Sequence, residues 1–270
     1  MPGVSDAPVD EQLDQQASGD ENPFSAMDPA MAAAPHETYA LMREVPAMAV
    51  EGVGVILSGR AEIDAAFRDP TTFSSDMSAV DLKNKRPLIP LQIDPPRHKD
   101  YRKILDPIFA PRAVAPLEEP LTRLVDDLLD RLDGRTEIDF AAEFSIPYPS
   151  QVFLTLLGLP LDELPRFLAM KDGIIRPDHA SGTEWGSDDM HAHQQATADS
   201  IYDYFEEILD EREAERRDDL LSRFLDTEVD GERLTREEIL DVCFLFLIAG
   251  LDTVTATLDC MFSFLARNPE

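Results

Sequence analysis

From Thr235 to Ala266 the sequence carries one helical pattern of roughly thirty residues, and nothing else in the chain constrains the fold as strongly. Thr235-Arg-Glu-Glu238 has the spacing of a capping box, in which a hydroxyl and a carboxylate each satisfy a free backbone N–H of the first turn. Past Ile239 the run is apolar on nearly every face. A surface helix keeps a polar stripe, so this one is expected to run through the middle of the protein.

The rest of the chain reads as the helices that surround it. Apolar residues spaced at threes and fours predict helices over 37–44, 60–68, 117–132, 150–157, 162–171, 188–217 and 220–227. Another runs from Asp94-Pro95-Pro96, read as an N-cap with proline in the first turn, to about Phe109. Two short strands are expected within 48–57, turning near Gly52 and Gly54, and a further short strand at 137–140. Residues 71–93, with Pro87 and Pro90, form a long loop. Residues 1–22, acidic and polar with few large apolar groups, read as a disordered tail. The class is therefore mostly α with a minor β part, in one domain over 23–270.

Composition removes several functions. Net charge is −30, the opposite of what phosphate neutralisation or anionic lipid requires. The two cysteines, Cys243 and Cys260, lie in one apolar run without metal-site spacing, and read as small core hydrophobes. The first Lys or Arg is Arg43, so no secretory signal is expected. The longest uninterrupted apolar stretch, 242–251, is too short to cross a bilayer. These features predict a cytoplasmic protein.

Two constellations could carry chemistry. Ala249-Gly250-Leu251-Asp252-Thr253 puts a glycine, an acid and an alcohol inside an apolar helix. The glycine costs about 1 kcal/mol relative to alanine, and the polar pair costs desolvation unless partnered. Such choices collect at functional sites. A bare Gly250 would let a flat ligand reach the backbone, and Thr253 could bond back to the Ala249 carbonyl and open a kink. A packing glycine beside a satisfied polar pair is the other reading, and both stay open. The second constellation is His98 and Arg102, four apart on one helix face and suited to carboxylates, or else part of a solvated basic face. Between Asp81 and Arg112 there are eight Lys or Arg against four Asp. That basic patch on an acidic chain fits the docking of an acidic partner.

Together these residues resemble a family. Ile-Pro-Leu-Gln-Ile-Asp-Pro-Pro-Arg-His-Lys-Asp-Tyr-Arg at 89–102 resembles the start of the C helix of soluble bacterial cytochromes P450. Ala-Gly-Leu-Asp-Thr-Val at 249–254 resembles their oxygen-activating I-helix motif, and Thr38-Tyr-Ala-Leu-Met-Arg43 their front segment. The resemblance implies the P450 fold and a haem-thiolate monooxygenase that inserts one atom of O2 into a small apolar substrate. It implies haem-propionate contacts at His98 and Arg102, a haem-facing surface at Ala249 and Gly250, and proton steering by Asp252 and Thr253. It also implies a substrate pocket including Leu91, Leu245 and Ile248. Electrons would come from NAD(P)H through a ferredoxin docked near Arg97, Lys99, Lys103 and Arg112. The Leu-Asp-Thr-Val variant is similar to that of terpenoid hydroxylases, implying a terpenoid-like substrate.

The chain departs from the family at the haem ligand. The family's thiolate motif puts a glycine four residues before the cysteine, whereas Ile239 precedes Cys243 and Ala256 precedes Cys260. Two Glu-x-x-Arg strings, at 163–166 and 213–216, lie before the central helix, where the family's pair follows it. The expectation is an incomplete P450, cut after the central helix, with the axial cysteine beyond residue 270 and no turnover by these residues alone. The alternatives are a non-catalytic helical protein that binds an apolar ligand or a partner, and a helical regulator.

Overall fold

The computed structural model describes residues 35–50, 54–76 and 82–269. The expected acidic tail and the turn at Gly52 lie outside the described residues. Two compact units are distinguished, Met1–Ser74 and Ser75–Glu270.

In the first unit, α1 (Pro35–Glu44) precedes β1 (Ala47–Val50) and β2 (Gly54–Leu57), which pair antiparallel from Ala47↔Leu57 to Val50↔Gly54. α2 (Arg60–Ala66) follows. The Ser58 hydroxyl donates to the carbonyls of Met42 and Val45 at 2.6 and 2.9 Å, fastening the end of the hairpin to the end of α1.

The second unit is almost wholly helical. α3 (Arg97–Leu105) continues into a 3₁₀ turn at Asp106–Phe109, then α4 (Pro111–Val114) and α5 (Glu118–Asp130). A π-helical turn, Ala141–Ser145, leads into α6 (Pro147–Leu156); α7 (Leu164–Ile175), α8 (Pro177–Ser181) and α9 (Asp188–Ala214) follow. Beyond α10 (Leu220–Asp226) a small hairpin, β3 (Glu228–Val229) with β4 (Glu232–Arg233), precedes α11 (Arg236–Arg267).

The capping box of α11 is formed. Thr235 Oγ1 accepts from the Glu238 N–H at 3.2 Å, and Glu238 Oε2 accepts from the Thr235 N–H at 2.8 Å. Ile239, Val242, Cys243, Phe244, Leu247 and Leu251 are buried, packed against α6, α7, α9 and α10. The expected central position holds only for this first half. Val254, Met261, Phe262, Phe264 and Leu265 are exposed, and Phe264 is 64% accessible. The second half is held to the π-helical turn by Thr255 Oγ1 donating to the Ser145 carbonyl at 2.9 Å, by a Ser145–Asp259 hydrogen bond and by the stacked Phe140 and Phe262 rings.

Three other expectations change. Asp94 is not the N-cap of α3: its carboxylate accepts from the Ser75 N–H at 2.8 Å, and its carbonyl takes the His98 N–H at 3.1 Å. The two prolines after it delay the helix, which begins at Arg97. The strand expected at 137–140 is instead a helix start. Asp139 Oδ1 accepts from the Ala142 N–H and Glu143 Oε1 from the Asp139 N–H, a reciprocal cap that a strand would not form. Finally, α11 is the one helix among the described residues long and apolar enough to span a bilayer. The 242–251 run understated it because Asp252 does not end the helix; burial of its first half among other helices accounts for much of that apolar composition.

Candidate functional site

Geometry is sharpest around the polar step in α11. Thr253 Oγ1 donates to the Ala249 carbonyl at 2.7 Å, as its spacing allows. Both residues are exposed, one turn apart on the same face. The α-helix runs through the motif without a break. Thr255 and Thr257 make the same backward bonds, to Leu251 and Thr253, at 2.9 and 2.8 Å.

Gly250 answers to packing. A Cβ there would stand 3.0 Å from Cδ2 of Phe153 on α6, so the bare side of the helix is turned to that ring. The residue left open on the other side is Ala249.

Asp252 is clamped from α7. Arg176, the residue capping that helix, donates from both terminal nitrogens to Asp252 at 2.9 and 3.1 Å, and the buried Lys171 ammonium lies 3.5 Å away. Lys171 and Arg176 also pair with Asp172, at 2.8 and 3.4 Å. Burial pushes the Asp252 carboxyl upward, but the hydrogen bonds and charges of Arg176 and Lys171 outweigh it and leave it below the usual carboxylate range. Asp252 is therefore an anion at neutral pH. Nothing in local sequence points to Arg176 or Lys171, which stand some eighty positions away; only the α7–α11 crossing brings them in.

A groove of about 430 Å³ runs beside this helix, lined by Pro90, Arg102, Leu105, Asp106, Phe109 and Phe246. Phe246 lies on α11 one turn before Gly250, and its ring meets Phe109 edge-on at 5.5 Å. Arg102 stands at the rim with Nε 2.7 Å from Asp106. His98 is half-buried, and its side chain makes no hydrogen bond among the described residues. The expected pocket residues are less convergent. Leu91 is 61% exposed and its neighbour Pro90 lines the groove instead, while Leu245 and Ile248 are half-buried against the core. Helical periodicity could have found Phe246 and Leu105; Pro90 and Phe109 carried no such signal.

The basic residues around α3 are unequal. Arg97 is paired with Glu232 and Glu238 at 2.9 and 3.2 Å, and Lys103 with Asp100 and Asp230 at 3.7 and 3.9 Å. Lys99 and Arg112 are exposed and make no ion pair among the described residues.

Residues 54–270 match the family model described as cytochrome P450. The chain belongs to the cytochrome P450 family. It is 32% identical over 265 residues to cytochrome P450 107B1 of Saccharopolyspora erythraea, a match covering 91% of this P450 chain and 62% of that relative. Among solved structures it is similar to P450 CYP109Q5 from Chondromyces apiculatus, with TM-score 0.75, 27% identity and coverage of 90% and 61% of the two chains. It is likewise similar to CYP109E1 from Bacillus megaterium in complex with testosterone, with TM-score 0.71, 25% identity and coverage of 87% and 63%. The P450 chain thus spans about three-fifths of the length of these relatives.

Haem is the cofactor of this family, and the described residues suit one side of it. An apolar groove with a guanidinium at its rim fits the edge of a flat apolar group bearing carboxylates. No thiolate ligand is at hand. Cys243 is fully buried and its thiol is pushed up by burial and by nearby Asp241, which disfavours the thiolate, and Cys260 lies on the exposed stretch of α11. No group of three or more potential metal ligands exists among the described residues.

Proposed function

We propose that the whole protein is a haem-thiolate monooxygenase that inserts one oxygen atom of O2 into a small apolar substrate, and that this chain supplies its oxygen-handling side. The observation that carries the reading is the Ala249–Thr253 step, exposed on one face of α11 with Asp252 held behind it by Arg176 and Lys171. The haem would supply the binding and reductive activation of O2, with its thiolate from outside the described residues.

Each residue then has a task its surroundings support. Arg102, with His98 one turn earlier, would take the haem carboxylates; to do so Arg102 would release its exposed Asp106 partner. Ala249, with Gly250 behind it against Phe153, leaves room for a flat group beside the helix. The Thr253 hydrogen is committed to the Ala249 carbonyl, so the hydroxyl oxygen is free to accept a hydrogen bond and hold a water or a reacting oxygen in place. Asp252, ionised at neutral pH, acts as a proton acceptor and relay. Arg176 is half-exposed and ties it to solvent, so protons would arrive from that side of α11.

Leu91, Leu245 and Ile248 would form the apolar wall toward the substrate, a terpenoid-like molecule on the resemblance of the Leu-Asp-Thr-Val motif. The testosterone bound by CYP109E1 is also a fused apolar skeleton. A ferredoxin, reduced by NAD(P)H, would dock at the basic patch in the cytoplasm. Lys99 and Arg112 are its stronger contacts, because Arg97 and Lys103 already have acidic partners.

Two measurements on the full-length protein test this. Reduced protein under carbon monoxide should give the Soret band of a thiolate-ligated haem, and its absence would return the non-catalytic binding protein as the better reading. Thr253→Ala should consume oxygen with less product and more peroxide; unchanged coupling would remove Thr253 from its task.

A further inference from the structure

The segment that carries Pro90 is anchored by a side chain that the oxygen-handling site does not use. Arg86 stands four residues before Pro90 and reaches α11 and α9 together. Its Nε donates to Asp241 Oδ2 at 2.8 Å and its terminal nitrogen to the Glu237 carbonyl at 3.1 Å, both on α11. Its guanidinium carbon lies 5.7 Å from the ring centre of Tyr202 on α9. The Tyr202 hydroxyl donates to the other Asp241 oxygen at 3.2 Å and accepts from the Lys85 N–H at 3.1 Å.

Burial makes this contact directional. The Asp241 side chain is 3% exposed and Arg86 is 37% exposed, so the helices hold the buried half and the loop brings the cation. Among the described residues Arg86 is the one cation within ion-pairing distance of Asp241. Burial raises the Asp241 carboxyl above the usual range even with Arg86 beside it. If the segment left α11, a buried carboxylate would lose its counter-charge, which is strongly unfavourable.

The segment is also tied to itself. The Asn84 amide donates to the Arg86 carbonyl at 2.7 Å and to Gln92 Oε1 at 3.1 Å, and the same oxygen accepts from the Leu88 N–H at 2.8 Å. Leu88 and Ile89 are buried in the core. Residues 84–92 are thus a closed unit, latched by Arg86 and presenting Pro90 to the groove.

We propose that Arg86 is a positioning residue: by neutralising buried Asp241 it holds the 84–92 unit on α11 and α9 and so fixes the Pro90 wall of the groove. The consequence for the groove rests on the haem-side reading above; the latch itself does not.

Hydrogen exchange on the full-length, haem-loaded protein tests it. Arg86→Gln should speed exchange across 84–92 by about tenfold or more while leaving the amides around Arg212 and Asp219 unchanged. Arg86→Lys, which keeps the charge without the three-way contact, should fall between. Arg86→Gln combined with Asp241→Asn should bring exchange back toward the native rate, a rescue that mere loss of packing would not give. Unchanged exchange in Arg86→Gln overturns the proposal, as does a double variant as loose as the single one. Haem transfer to apomyoglobin separates the two readings. Faster exchange with faster haem loss supports both, whereas faster exchange with unchanged haem loss upholds the latch and removes the groove from the haem site.

Discussion

Arg212→Met isolates an ion pair buried on both sides. The Arg212 side chain near the end of α9 is 0% exposed, and that of its partner Asp219 2%. Arg212 Nε donates to Asp219 Oδ2 at 2.5 Å, and a terminal nitrogen donates to the Gly158 carbonyl at 3.1 Å. The other Asp219 oxygen caps α10 by accepting from the Ser222 N–H at 2.8 Å. The turn after α6 is pressed onto this pair: Gly158 has φ +64°, and a Cβ there would come within 2.6 Å of Asp219. Methionine fills much of the arginine volume but strands a buried carboxylate and a carbonyl. Removing one partner of a buried pair costs about 3–5 kcal/mol. At about 1–2 °C per kcal/mol for a protein of the length of its relatives, Tm should fall by about 3–10 °C. Arg212→Met with Asp219→Asn removes both charges and keeps the cap, since the asparagine oxygen still accepts from Ser222. It should recover at least about half of the loss, because the orphaned charge is the main penalty. Thermal unfolding of the full-length protein followed by circular dichroism reads both variants, and added salt should change the difference little, as buried charges are weakly screened. A single variant that costs under about 1 kcal/mol would mean the pair behaves like an exposed one. A double variant no better than the single would put the loss in packing rather than charge.

Two further outcomes are expected. The folded-state value of Asp252 lies below its unfolded value, so its stabilisation is complete above the ordinary carboxylate range, about pH 4, and vanishes as pH falls through the folded value. Asp252→Asn should therefore lower the urea midpoint at pH 7 and cost progressively less as the pH is taken below about 4; an equal loss throughout would assign the cost to shape. Cys243, buried with its thiol pushed up, should resist iodoacetamide in the native protein and react on unfolding, as peptide mapping would show. Rapid native labelling would contradict the packing of α11.

Local rules carried far along this chain because most of its elements are helices whose signals are short-range. The capping box at Thr235, the backward bond of Thr253 and the runs that became α5, α7 and α9 all depend on residues at most four apart. Where the sequence alone misled, distant partners had taken over a local signal. Asp94 looked like a cap until its carboxylate found Ser75. The tertiary structure alone decided the rest of the site: Arg176 and Lys171 on Asp252, Arg86 on Asp241, and the unequal pairing of Arg97 and Lys99. Each of those contacts joins elements separated by many residues, and no periodicity encodes which helix crosses which. The motif of α11 and the face of α3 were therefore written in sequence as residue types at helical spacing. Their charges, partners and exposure followed only from what packs against them.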